Sequence, residues 1–414
     1  MPFYKTPGVY IVEQPALKTI NAVSTSVAAF VGQAPDMSAH LGEVVAVNNW
    51  SQFRTEFAAA DNLNSTALSH AVNGFFQNGG GRCFIVNIAD SDAIAGNAPP
   101  RTGLKLLEEN DELSIVTAPG RIDPASHEAL TAHCELLGDR VCILDLPDVK
   151  NTELLKTVET AGVPGKTKDK DKDKDKDKDK DKDKDAATAS AAAHPRISPS
   201  GVSTCYFPNI VVADALHPNL PPVAVSPSGH MAGIWAQTDT LRGVHKAPAN
   251  VPVAGAIDLT YRVTSAEQGD LNSKGINCIR YFSTEGIVVW GARTLAEESS
   301  EWRYIPVRRL LIMIEQSIKR NTTWVVFEPN GKSTWNSVAI EASNFLHNVY
   351  RDGALMGATA EEAFFVKCDE ETNPPESVDM GQLVTVIGVA PTKPAEFIIF
   401  KIGLNAGGAQ VEAL

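Results

Sequence analysis

Between residues 23 and 214, short apolar runs alternate with stretches of helical spacing, and this alternation restricts the chain more than any other feature. The runs VAAFVGQAP, GEVVAVNN, RCFIVNI, ELSIVTAPG, RVCILDLP and FPNIVVAD each have strand length, and all but RCFIVNI end on glycine, proline, asparagine or aspartate. Helical spacing fills TALSHAVNGFFQNGG and residues 124–137 between them. Strands separated by helices imply a parallel sheet with crossover connections. Gly79, Gly80 and Gly81 form the turn back into RCFIVNI and suit a helix C-cap.

Residues 302–350 predict a second kind of unit. After Pro306, Val307, Leu310, Leu311, Ile314 and Ile318 line one helical face, while Ile312 and Met313 lie off it. A helix apolar on two sides is expected to be wedged between layers. Residues 322–327, TTWVVF, read as a buried strand ended by Pro329, Asn330 and Gly331. A further helix opens at Ser333 or Thr334, buries Trp335, Val338, Ala339, Ala342, Phe345, Leu346 and Val349, and stops at Gly353. Gly331, Lys332, Ser333 and Thr334 imitate a phosphate-binding loop. That loop needs glycine five positions before the Gly-Lys pair, where Val326 stands, so the segment reads as a turn and helix cap.

Two apolar runs lack a local partner. Val9, Tyr10, Ile11 and Val12 near one end, and EFIIFKI at 396–402 near the other, have no second strand at hairpin spacing. They must pair at a distance or with another chain, since a bare apolar edge invites association. Residues 168–185 are nine consecutive Lys-Asp pairs with no apolar atoms to pack, and read as a solvated loop within 166–190.

The formal net charge of −13 argues against broad nucleic-acid or anionic-membrane binding. Six cysteines, at 83, 134, 142, 205, 278 and 368, include no C-x-x-C pair and suit buried thiols in a reducing compartment. His70, His127, His133, His217, His245 and His347 lack metal-ligand spacing, so neither metal nor cofactor is expected. No basic head with an apolar run opens the chain and no long uncharged apolar window follows, which predicts cytoplasmic assembly without membrane insertion.

The pieces PGVYIVE, AAFVGQAP, FFQNGGGRCFIVN, SPSGHMAGIWAQTDTLRGVHKAPAN, GIVVWGARTL, EWRYIPVRRLLIMIEQSIKRNTTWVVFEPN, EAFFVKCDEETNP and PAEFIIFKIG, in this order, resemble the contractile tail sheath family of phage tails, tailocins and extracellular injection particles. The Lys-Asp tract belongs to no motif of that family. The resemblance implies a multidomain α/β and α+β subunit that stacks in hexameric rings around an inner tube, meets baseplate and terminal cap proteins, and contracts. It implies an N-terminal strand-donating arm over 1–22, a small α/β subdomain over 23–97, and an outward-facing inserted α/β domain of subtilisin-like fold over 98–275. A tube-proximal core over 276–394 and a C-terminal donating arm over 395–414 complete it. Donation falls on Val9, Tyr10, Ile11, Val12, Phe397, Ile398, Ile399 and Phe400. Arg308, Arg309, Glu315, Lys319 and Arg320 are tube-contact candidates, with an ordinary solvated or intersubunit face as their other reading.

Two further functions stand against this one. A subtilisin-like hydrolase would use Asp145 and the SGHMAGI segment, but His230 occupies the position before Met231-Ala232 where a nucleophile is required, and Ser228 is two residues early. No catalytic residue is therefore expected. The other is a cytoplasmic binding module that does not polymerise.

Overall fold

The computed structural model describes residues 19–60, 62–150, 152–156 and 194–397. The strands are β1 (Ala28–Gly32), β2 (Val44–Val47), β3 (Cys83–Asn87), β4 (Ile115–Thr117), β5 (Val141–Asp145), β6 (Ser203–Phe207), β7 (Ile210–Val212), β8 (Val223–Val225), β9 (Val251–Pro252), β10 (Ala256–Leu259), β11 (Ile276–Phe282), β12 (Gly286–Trp290), β13 (Phe364–Lys367) and β14 (Val386–Val389). The helices are α1 (Trp50–Phe57), α2 (Ala67–Gln77), α3 (Pro124–Leu137), α4 (Glu153–Lys156), α5 (Ser228–Arg242), α6 (Ser265–Ser273), α7 (Ile305–Asn321), α8 (Lys332–Arg351), α9 (Ala360–Ala363) and α10 (Pro375–Asp379).

Nine strands form one sheet in the order β2-β3-β1-β4-β5-β6-β11-β12-β9. The run from β3 to β11 is parallel, and β2, β12 and β9 add antiparallel edges. Burial on both faces explains the near-continuous apolar runs. In β1, Ala28 and Phe30 enter the core beneath α2 and α5, while Ala29 and Val31 enter the opposite core with Leu130 and Cys134 of α3. Asp123 caps α3 through Ser126, and Pro124 occupies its first turn, so the helix begins where the sequence expects.

The boundaries expected at 97/98 and 275/276 run through this sheet. β1 pairs directly with β4, and β6 with β11, so residues on either side share one hydrogen-bonded layer. FPNIVVAD is not the next parallel strand either. It supplies β7 of a separate antiparallel sheet, β10-β7-β8, and the parallel position belongs to β6. Polar residues hide that strand in the sequence: Ser203 and Thr204 are fully buried, bonded to Thr131 Oγ1 at 2.8 Å and the Cys142 carbonyl at 3.0 Å.

The C-terminal module comprises α7, α8 and the β13-β14 pair. Helix α7 is wedged as its two apolar sides require: Ile312 joins the core under the large sheet, while Leu310, Met313 and Ile314 join Ala342, Phe345, Leu346 and Val349 of α8. The strand expected at 322–327 does not form. Thr323–Val325 is a 3-10 turn, Val326 is 62% exposed, and Phe327 is fully exposed at φ 71°. β-branched and aromatic residues favour a pleated, half-buried surface, and among the described residues no strand pairs with this stretch. Helix α8 starts one residue before the expected Ser333, with Gly331 at its N-cap and no side-chain cap bond; Thr334 instead donates back to the Pro329 carbonyl at 2.7 Å.

Candidate functional site

The place where a subtilisin-like site would stand is sealed. Asp145 ends β5 at 1% exposure and Ser228 opens α5 at 0%. Ser228 Oγ donates to Asp145 Oδ2 at 2.8 Å, its N–H to Oδ1 at 3.2 Å, and the Gly120 N–H to Oδ2 at 2.9 Å. Burial pushes the Asp145 carboxyl up to about 6 against the pull of these donors. His127 Nε2 donates to the main-chain carbonyl of Asp145 at 2.9 Å, not to its carboxylate. Serine thus binds aspartate directly, with no imidazole between them and no opening for a substrate. The carboxylate caps the N-terminus of α5.

Helix α5 is held for packing. Gly229 and Gly233, one turn apart, face α2 so closely that a Cβ on Gly229 would stand 2.3 Å from the Ala71 carbonyl oxygen, and one on Gly233 would stand 2.5 Å from that of Phe75. His230 fits into the gap left by Gly74. The SGHMAGI segment is therefore explained by a tight helix crossing.

Helix α7 divides the tube-contact candidates into two groups. Arg309 is interior: its guanidinium bonds both Asp239 oxygens at 3.0 and 2.6 Å and the Thr25 carbonyl at 2.8 Å, and lies 4.6 Å above the Trp235 ring. Arg308 is also buried, stacked 4.9 Å over Trp302 and 3.8 Å from Glu315. Glu315 and Lys319 are exposed one turn apart, and Arg320 is half-buried with its guanidinium donating to the Asp111 carbonyl. Only this second group presents charge at the surface.

Both chain ends are tied at their roots. Ile20 is buried with α7 and α8, Val23 N–H donates to Ser317 Oγ at 3.0 Å, and Asn321 Nδ2 donates to the Asn21 carbonyl at 3.1 Å. At the other end Arg293 holds Glu396 through Nε at 2.9 Å and Nη2 at 2.5 Å, with the two side chains 6% and 15% exposed. Phe397 follows at 73% exposure. Val9, Tyr10, Ile11, Val12, Ile398, Ile399 and Phe400 lie outside the described residues, as does the Lys-Asp tract. Sequence reasoning missed the anchors Ser317, Asn321 and Arg293, because each partner is a hundred or more residues away and no local pattern marks it.

The six cysteines are buried and unpaired. Among the described residues no three His, Cys, Asp or Glu side chains converge to hold a metal ion, and no helix is long and apolar enough to cross a membrane.

Residues 102–295 match the family model described as the phage tail sheath protein central domain, and residues 297–405 match the phage tail sheath C-terminal domain. A tail sheath protein of Vibrio phage KVP40 is 29% identical over 174 residues, which are 41% of this chain and 25% of that protein. One from Salmonella phage ViI is 32% identical over 166 residues, 39% of this chain and again 25% of the relative. The chain thus spans about a quarter of the length of these phage proteins. Among solved structures, a chain of the anti-feeding prophage helical sheath in the contracted state is 30% identical, with a TM-score of 0.71 over 97% of this chain and 100% of that one. The contracted sheath of PVC, an extracellular contractile injection system, is 27% identical with a TM-score of 0.72, covering 98% and 99% of the two chains.

Proposed function

The chain belongs to the contractile tail sheath family, and we propose on that premise that it is the structural subunit of a sheath which polymerises helically around an inner tube and contracts to drive the tube through a target envelope. The observation that carries this reading is end-to-end similarity to sheath chains of two contractile particles, over 97% and 98% of this chain. A chain of the anti-feeding prophage baseplate is similar over the same 97%, which supports a baseplate contact for the lowest ring.

In this reading the mature assembly consists of stacked hexameric rings. The arms outside the described residues each complete a sheet in another copy, through Val9, Tyr10, Ile11 and Val12 at one end and Phe397, Ile398, Ile399 and Phe400 at the other. The anchored roots support that role, since Glu396 at one end and Val23 at the other are fixed to the body close to where the arms begin. The large sheet with its helices is the outward-facing, subtilisin-like part, without a catalytic triad. The α7-α8 module faces the tube through Glu315, Lys319 and Arg320, with the buried Arg308 and Arg309 fixing the helix behind them. Particles assemble in the cytoplasm and act outside it, as free injection particles or as parts of a virion. Extended sheath is the less stable lattice, and small packing gains per copy sum to the work of contraction.

Electron microscopy of the full-length chain produced with its tube protein tests this function. Tubular polymers with sixfold symmetry are expected, and a persistent monomer in the presence of the tube protein would overturn it.

A further inference from the structure

A cavity of about 320 Å³ opens between α1, α2, α5 and the loop after β7, and the sheath reading makes no use of it. Its polar lining is Trp50, His70, Asn73, Gln77, Asp214 and His230. That volume lies at the lower end of the range for small-molecule sites, roughly 300–1,000 Å³.

The charge of the lining is uneven. Asp214 Oδ1 accepts from Ser65 Oγ at 2.5 Å, from Leu216 N–H at 3.1 Å and from His217 N–H at 2.8 Å. Oδ2 accepts no hydrogen bond among the described residues and lies 3.8 Å from His70 Nε2. Burial, which would raise the Asp214 carboxyl, is outweighed by those hydrogen bonds, so it stays below its ordinary value and ionised. The imidazoles carry no compensating charge: burial lowers His70, and burial with His70 alongside lowers His230 to about 4. His230 is 2% exposed and His70 9%, and the Nδ1 of each is buried without a hydrogen-bond partner. Among the described residues no lysine or arginine pairs with Asp214.

A half-enclosed carboxylate with one oxygen that accepts no hydrogen bond among the described residues, two neutral imidazoles and an indole wall selects for positive charge on an apolar stem. The indole of Trp50 in the same lining as the carboxylate favours an organic cation with an apolar stem. We propose that this cavity is a receptor for an alkylguanidinium or alkylammonium group, with the charge on Asp214 Oδ2 and the stem along Trp50. The group comes either from a free amine or from an arginine or lysine of a neighbouring copy. Only the second source rests on the sheath reading.

Isothermal titration of the full-length chain with n-butylguanidinium, with n-butanol as the uncharged comparison, tests the site. Saturable binding of the guanidinium is expected, at least tenfold weaker for the Asp214→Asn variant and for n-butanol. Asn73→Phe fills the cavity without touching the Asp214–Ser65 bond, and should abolish binding; it decides the matter if Asp214→Asn does not fold. No saturable binding by the wild-type chain, or equal affinity in Asn73→Phe, would overturn the proposal. Repeating the titration on assembled tubes separates the sources: retained binding identifies a free amine, and lost binding identifies a neighbour's side chain already in place.

Discussion

Replacing Arg309 by methionine isolates the contact that joins the large sheet, the N-terminal root and the α7-α8 module. The Arg309 and Asp239 side chains are 3% and 5% exposed, so the variant leaves a carboxylate enclosed without its cation. Two unit charges about 4 Å apart at an effective dielectric of about 20 attract by about 4 kcal/mol, in line with the ~3–5 kcal/mol lost when one partner of a buried pair is removed. We therefore expect about 4 kcal/mol of destabilisation in urea unfolding of the unassembled full-length chain at pH 8. Burial already holds the Asp239 carboxyl above its ordinary value, with Arg309 as the largest opposing influence. Without Arg309 it rises further. A carboxyl raised on folding contributes stability below its unfolded value and loses it as pH rises through the folded value. The deficit must then shrink at pH 5. Removing both charges, in Arg309→Met with Asp239→Leu, should recover more than half of it. A loss below about 1 kcal/mol at pH 8, or an equal loss at both pH values, would refute the reasoning.

Three further outcomes follow from the same geometry. Gly233→Ala should lower stability by about 1–3 kcal/mol in thermal unfolding, because its Cβ meets the Phe75 carbonyl oxygen at 2.5 Å; on an open helix the same change would gain up to about 1 kcal/mol. Ser228→Ala should cost about 1–3 kcal/mol and leave peptidase activity at background, with a deficit in denaturant midpoint that grows as pH rises through 6, since the lost hydroxyl was holding the Asp145 carboxyl down. Arg293→Ala should cost on the order of 1–2 kcal/mol, less than Arg309→Met because Glu396 can turn toward water, and should speed amide exchange over 391–397.

What could be read in the sequence was whatever a local period controls. Helix α3 kept its expected limits because Asp123, Pro124 and Gly138 mark them within one segment. The two-sided apolar pattern of α7 correctly placed it between two cores. The errors arose where tertiary context overrode local preference. TTWVVF has strand composition but meets no sheet edge among the described residues, whereas Ser203 and Thr204 look unlike core residues and are satisfied by partners on α3 and β5. The contacts that define the site were illegible for a related reason. Asp145 and Ser228 are 83 positions apart, Asp239 and Arg309 are 70 apart, and no spacing rule joins residues that only the sheet brings together. The packing role of the SGHMAGI segment was illegible for the same reason, since its glycines answer to α2, far away in the sequence.

The central claim is that each copy is incomplete alone and that strands lent at both ends link the copies. The most direct measurement is electron microscopy of full-length chain and of chains lacking 1–14 or 395–414, each produced with the tube protein and each first verified as folded by circular dichroism. The account predicts long contractile cylinders from the full chain and soluble, folded, unassembled bodies from both shortened forms. Full-length contractile cylinders built from either shortened form would contradict it.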